Sequence, residues 1–175
     1  LILTGAGRGF CAGVDLEALK NPDPSASGPK LGEEDFVRKL PLDIWNSPKP
    51  VIAAINGAAV GGGLGLALLC DLRVAAEDAK IGANFSRLGI HPGLGISHLL
   101  PRLIGYQAAA EMLFTGELIS GSRAAEIGLV REAVPAHEVL PRAMALATKI
   151  AANAPLHPAS PAPLAPSTLV VAGTG

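Results

Sequence analysis

The sequence predicts an α/β layer structure. Short apolar strands alternate with helical stretches along most of its 175 residues, and glycine runs sit at the joints between them. Residues 1–4 read as a buried strand, followed by the turn Gly5-Ala6-Gly7-Arg8-Gly9. Residues 21–32, with three prolines, two glycines and two serines, read as a surface loop. Residues 33–46 place Phe36, Val37, Leu40, Ile44 and Trp45 at helical spacings, with a kink expected at Pro41. Residues 51–55 are a short continuous apolar run, the pattern of a strand buried on both faces. Gly61-Gly62-Gly63 then opens a helix over 64–70 that is apolar all round. Residues 72–76 return as a strand. Helices are expected over 96–104, ending at Gly105, and over 106–114, capped by Gly116. Ser120 or Ser122 caps a further helix over 123–127, which Gly128 stops. Residues 129–134 read as a strand and 135–152 as a last amphipathic helix.

Composition narrows the function. The chain is 49% hydrophobic and 17% charged, with a formal net charge of -1, so it offers no electrostatic footprint for nucleic acid or an anionic membrane. Aromatics make up 3%, so the core is built from Ala, Leu, Ile and Val. Cys11 and Cys70 stand far apart in apolar contexts, which fits buried reduced thiols better than zinc spacing or a secreted disulfide scaffold. No apolar run approaches the roughly 20 residues of a membrane span, and no signal peptide is evident; a cytoplasmic protein is expected. Residues 1–153 read as one core that is partial, because a strand at residue 1 implies neighbours encoded upstream. Residues 154–175 read as a tail: five prolines follow between 155 and 166, and no Asp, Glu, Lys or Arg occurs after Lys149. Such a segment is expected to be poorly ordered.

The chemistry concentrates at Gly61-Gly62-Gly63. Glycine loses more backbone entropy on folding than alanine and lowers helix propensity, so three in a row need a reason. One reason is a ligand that the backbone must approach: the first amides of a helix have no partner inside it and stabilise a phosphate or a developing oxyanion. Close helix–sheet packing is the other, and the run alone does not separate them. Phosphate and nucleophile motifs are absent. No G-x-x-x-x-G-K-[ST] occurs, neither glycine cluster completes G-x-G-x-x-G, and Gly95-Ile96-Ser97-His98-Leu99 lacks the last glycine of a G-x-S-x-G elbow.

Ordered motifs nevertheless resemble one family. Thr4-Gly5-Ala6-Gly7-Arg8-Gly9-Phe10-Cys11-Ala12-Gly13-Val14-Asp15-Leu16 is similar to the first signature of the enoyl-CoA hydratase/isomerase (crotonase) family. The stretch from Lys49-Pro50-Val51 to Gly63, with Cys70-Asp71-Leu72-Arg73, resembles the second. Leu88-Gly89-Ile90, Pro92-Gly93 and Leu100-Pro101-Arg102-Leu103-Ile104-Gly105 resemble the third, and Thr115-Gly116-Glu117 and Gly128-Leu129-Val130 keep the register. The resemblance covers about residues 1–153 and implies a crotonase-like (ClpP/crotonase) spiral of ββα units, incomplete at both ends. It implies a coenzyme A thioester as substrate, with coenzyme A present only as part of it, no permanently bound cofactor and no metal. Two backbone amides that hold the thioester carbonyl fall on Val14 and Gly62, and Cys11, Ala12, Asp15, Leu16, Gly61 and Phe85 fall against the substrate. A homotrimer or hexamer is implied as the assembly.

The departures from the family matter as much. Its hydratases carry catalytic glutamates where this chain has Gly65 and Phe85, and its isomerases use a glutamate at the Phe85 position. Dienoyl isomerases and an aroyl-CoA dehalogenase use an aspartate that falls at Gly93, and the dehalogenase also needs a histidine in 33–46, where none occurs. Paired carboxylates hold a water and pass its protons, each such group contributing about 10²–10⁴ in rate; glycine and phenylalanine do not. The polar residues left near the expected pocket are Asn84, Ser86, Arg87, His91 and His98. His91 is the candidate proton donor, because imidazole titrates near neutral pH; a loop histidine bonded to backbone is the plainer alternative. The expected function is an acyl-CoA enzyme of the lyase or isomerase class that stabilises a thioester enolate. The alternatives are a non-catalytic acyl-CoA-binding paralogue and an inactive truncated fragment.

Overall fold

The structure, a computed structural model, describes residues 1–13, 38–153 and 168–171, the last four by their backbone. Its larger sheet contains β1 (Ile2–Gly5), β2 (Ile52–Ile55), β4 (Leu72–Ala76), β7 (Glu132–Val134) and β8 (Thr168–Val171). Their order is β7-β4-β2-β1-β8, and every pair is parallel. The smaller sheet joins β3 (Ala59–Val60), β5 (Lys80–Gly82) and β6 (Ile119–Ser120), with β3 and β5 parallel and β6 antiparallel to β5. The helices are α1 (Leu40–Trp45), α2 (Gly62–Leu69), α3 (Phe85–Leu88), α4 (Ile96–Ile104), α5 (Tyr106–Thr115), α6 (Gly121–Glu126) and α7 (Val139–Ala151).

One path repeats along the chain. It runs through the large sheet, crosses to the small sheet and continues into a helix: β2, β3, α2, then β4, β5, α3. After β1 the chain reaches the small sheet at Cys11, which bridges to Ala59 in parallel. This is the ββα spiral that the resemblance implies. β2 reads as an unbroken apolar run because both its faces are covered; all four of its residues are buried, and α7 packs across β1, β2 and β4. Ala143 and Ala147 face the sheet from α7, and their small size lets the helix approach closely.

Polar side chains bonded to the backbone lock the ends of these elements. Asp71 Oδ2 accepts the Val51 N–H at 2.7 Å, fixing the entry to β2. Arg73 on β4 is 8% exposed and has no salt-bridged carboxylate among the described residues. Its guanidinium donates instead to carbonyls, Nη1 to Cys70 at 2.6 Å and Ala67 at 3.4 Å, and Nε to Leu129 at 2.9 Å. It thus caps the negative end of α2 with a cation.

The expected strands, helices and glycine stops fall close to their places, with instructive differences. Lys39 interrupts the helix before Pro41, which lies in the first turn of α1; the 33–37 part of that expected helix lies outside the described residues. The 135–152 helix begins as a 3₁₀ turn, Ala136–Glu138, before α7. The strand expected over 129–134 is Glu132–Val134, while Leu129 and Val130 are buried ahead of it. The sequence predicts a poorly ordered tail over 154–175, whereas Thr168–Val171 pairs along β1. A Thr-Leu-Val-Val run suits a strand, and the open edge of β1 offers it unpaired donors and acceptors. Among the described residues no helix is long and apolar enough to cross a membrane.

Candidate functional site

The site is built where the small sheet turns into α2. Gly61 is the N-cap at φ +57°, its N–H donates to the Gly82 carbonyl at 2.9 Å, and its own carbonyl accepts the Gly65 N–H at 3.1 Å. The next two amides, of Gly62 and Gly63, meet no acceptor among the described residues. No acidic residue lies in this first turn and no side chain caps it. The positive end of the α2 dipole is therefore unopposed there, with Gly62 half-buried beside it.

The first glycine turn is brought onto this helix end by main-chain bonds. Phe10 and Cys11 donate from their amides to the Ala58 carbonyl at 3.0 and 2.9 Å, and Val60 donates to the Cys11 carbonyl at 3.0 Å. Phe10 is fully buried and anchors the loop. A side chain on Gly63 would collide with the Cys11 carbonyl oxygen, so glycine there is a requirement of backbone contact. Gly13 holds φ +85°, and a Cβ on it would lie 3.1 Å from the Gly62 nitrogen and 3.0 Å from the Val60 oxygen. The two segments singled out from the sequence thus converge at Gly13 and Gly62. Cys11, Ala12 and Gly61 lie with them; Val14, Asp15 and Leu16 lie outside the described residues.

Around Gly65 and Phe85, where the resemblance expects the family's glutamates, the described neighbours are mostly hydrocarbon. A Cβ on Gly65 would lie 2.7 and 2.8 Å from Leu94 side-chain carbons and 3.2 Å from Ile96 Cδ1. At Gly61 the neighbours are Asn84 Oδ1, at 3.2 Å from a built Cβ, and the tip of the Phe85 ring at 3.8 Å. His91 is exposed in the turn between α3 and α4 and is not among the atoms that close on Gly61 or Gly65. His98 is engaged by Arg102, whose Nη1 lies 3.1 Å from its Nδ1 and donates to its carbonyl at 2.8 Å. Arg87 turns to the end of α5, donating to the Thr115 carbonyl at 3.0 Å. Sequence reasoning missed Leu94, whose approach to Gly65 joins residues of different helical turns, and it missed the side chain of Asn56.

Other features lie apart from this centre. A cavity of about 520 Å³ opens at the carboxyl ends of the large-sheet strands, lined by residues including Arg8, Asp78, Lys80 and His137 and not by Gly61 or Gly62. Among the described residues no three His, Cys, Asp or Glu side chains group to hold a metal ion.

A ββα spiral whose glycine-opened helix presents unpaired amides to a second glycine loop defines a crotonase-fold protein. The sequence profile of the enoyl-CoA hydratase/isomerase family matches residues 1–160. The short-chain-enoyl-CoA hydratase of Clostridium acetobutylicum is 41% identical over 160 residues, covering 89% of this chain and 59% of that protein. The 1,2-epoxyphenylacetyl-CoA isomerase of Escherichia coli is 42% identical over 153 residues, covering 86% and 58%. The crystal structure of an enoyl-CoA hydratase from Bacillus anthracis superposes with a TM-score of 0.76 at 43% identity, covering 88% of this chain and 59% of that one. This chain belongs to the enoyl-CoA hydratase/isomerase family. It spans less than two thirds of the length of these relatives.

Proposed function

We propose that this chain binds a coenzyme A thioester with its carbonyl oxygen between the amides of Gly62 and Val14, and stabilises the enolate that forms when an α-proton leaves. The approach of Gly13 to the unpaired Gly62 amide is the observation that supports this most. The next amide in the chain after Gly13 is that of Val14, so two main-chain donors can serve one oxygen. Donors of this kind cost no reorganisation as charge develops, and one is worth roughly 3–4 kcal/mol of barrier. Because both are main-chain groups, the valine side chain is compatible with the role. Coenzyme A enters as part of the substrate, with neither a resident cofactor nor a metal in the scheme.

We place the reaction in the lyase or isomerase class, in keeping with relatives named as hydratases and isomerases, with a proton carrier other than the paired glutamates. We assign that role to His91. Assembly as a homotrimer or hexamer belongs to the same proposal. A second reading, acyl-CoA binding without turnover, is favoured by one observation: Leu94 and Phe85 leave no titratable group at either glutamate position.

Thermal melting with acetoacetyl-CoA, against free CoA, tests the binding step, and deuterium exchange at the α-carbon of a saturated thioester tests the chemistry. The proposal expects a melt raised beyond that with CoA, together with exchange that falls about 100-fold in His91→Ala. A raised melt without exchange establishes the binder. No rise beyond CoA overturns both.

A further inference from the structure

Leu94 has the only positive φ, +54°, of any non-glycine residue among those described. The left-handed conformation costs an L-residue with a branched side chain about 1–2 kcal/mol. Such an outlier persists where its surroundings over-determine it, and it asks for a reason. Gly95 follows at φ +68° as the N-cap of α4, and Ile96 after it is fully buried. Two successive left-handed residues bring the Leu94 side chain back onto α2, where it meets Gly65. Gly65 stands three residues beyond Gly62, so the two share one side of the helix and lie roughly 5–6 Å apart. Leu94 is itself only half-buried. Its Cβ and Cδ1 are packed on α2 at Gly65, one turn along the helix from the Gly62 amide.

We infer that Leu94 is the specificity-determining residue of this site, a plug that occupies the room beside Gly65 and restricts the thioester to short, apolar acyl groups. The inference rests on the thioester reading above. Leu94 and Ile96 make the wall at Gly65 hydrocarbon, which disfavours an acyl group carrying a hydroxyl or carboxylate there, since neither side chain offers a hydrogen bond; Asn84 Oδ1 is the polar atom at the Gly61 end, beside the Phe85 ring. The pairing also explains why an added carboxylate cannot simply be accommodated: a side chain at position 65 and the Leu94 side chain claim the same volume.

Titration of the full chain with CoA, acetyl-CoA, butyryl-CoA and octanoyl-CoA, compared with Leu94→Ala and Leu94→Gly, tests this. Leu94→Gly removes the plug and relieves the backbone cost, so at least one variant is expected to fold. Opening the wall should raise octanoyl-CoA affinity relative to acetyl-CoA by about tenfold, the worth of one or two newly buried methylenes, with CoA affinity unchanged. Wild-type thioesters binding no tighter than CoA would overturn the thioester reading and this role with it. Tighter thioester binding with an unchanged octanoyl-to-acetyl ratio would overturn the plug alone. The pairing has its own readout in unfolding: Gly65→Ala should destabilise the wild-type chain clearly more than it destabilises Leu94→Gly, and equal losses would also sink it.

Discussion

Asn56 holds the turn that begins at Gly5 from both sides: its Oδ1 accepts the Gly5 N–H at 3.0 Å, and its Nδ2 donates to the Gly7 carbonyl at 3.0 Å. A longer contact from Nδ2 reaches the Gly9 carbonyl at 3.4 Å, and Thr4 Oγ1 donates to Oδ1 at 3.4 Å. Asn56 directly follows β2, and the turn it grips leads to Cys11 and Gly13. It therefore ties the two segments that meet at Gly62. Asn56→Asp keeps the acceptor and the shape but turns a carboxylate toward two carbonyls. The expected loss of stability is about 1–2 kcal/mol, read by chemical unfolding. A larger proportional effect is expected on acetoacetyl-CoA than on free CoA, because the loop it positions serves the thioester end in the proposed function. Equal effects on the two ligands would make Asn56 a fold residue only.

Arg73 shows how backbone carbonyls hold a buried cation. Burial lowers its pKa from the ordinary guanidinium value, but three carbonyl acceptors keep the charge solvated by the protein. The planar fork is what lets one side chain reach both Leu129 and the end of α2. Arg73→Met leaves those carbonyls buried and unsatisfied and should cost about 3 kcal/mol. Arg73→Lys should recover only a minor part, because an ammonium is a compact donor. Full recovery by lysine in a denaturant melt would show that charge, and not the fork, is the requirement.

Much of the large sheet was legible because its strands are long enough to show a pattern. Residues 51–55 are an apolar run between Pro50 and Asn56-Gly57, residues 72–76 are apolar except for Arg73, and the helix stops at Gly105, Gly116 and Gly128 are glycines at positive φ. The small sheet was not legible. Ala59–Val60 and Lys80–Gly82 are too short for any period to appear, and they exist only because they pair with each other. At the site, the glycine run announced its helix end, since glycine there has a backbone cost that needs repayment. What occupies the vacant glutamate position was hidden, because nothing local to Leu94 marks it for a left-handed conformation that brings it onto Gly65.

The cysteines should differ sharply toward alkylating reagents. Burial pushes the Cys70 thiol up to about 12, and its Sγ lies 3.5 Å from the Leu66 carbonyl at the end of α2. At pH 8 only about one Cys70 thiol in ten thousand is then ionised, and the thiolate is the nucleophile. Cys11 is half-buried on the loop before Gly13. Iodoacetamide at pH 8 should label Cys11 and spare Cys70 in the folded chain, with both labelled in denaturant, as peptide mass mapping reads directly. Modification of Cys11 should also weaken acetoacetyl-CoA binding, since its carbonyl and Cβ lie against Gly63.

Glu132 supplies a pH dependence whose sign is fixed by its partners. Its Oε2 accepts from Arg142 Nη2 at 2.5 Å and its Oε1 from Arg131 Nη1 at 2.8 Å, fastening β7 to α7. The Arg142 hydrogen bond is the main cause that holds its carboxyl below the ordinary value of 4.5, with the charges of Arg142 and Arg131 adding to it. A pKa depressed by folding means that the folded state favours the ionised form. The contribution is therefore complete above pH 4.5 and is lost as the pH falls through the lower folded value. Glu132→Gln should lower the melting temperature by a small, constant amount between pH 5.5 and 8, with the gap closing below pH 4.5. Added salt should narrow the gap at neutral pH as well, because both arginines are about half exposed. A gap that widened in acid would require the carboxyl to be raised by folding, and the two arginine contacts would then not be what it experiences in solution.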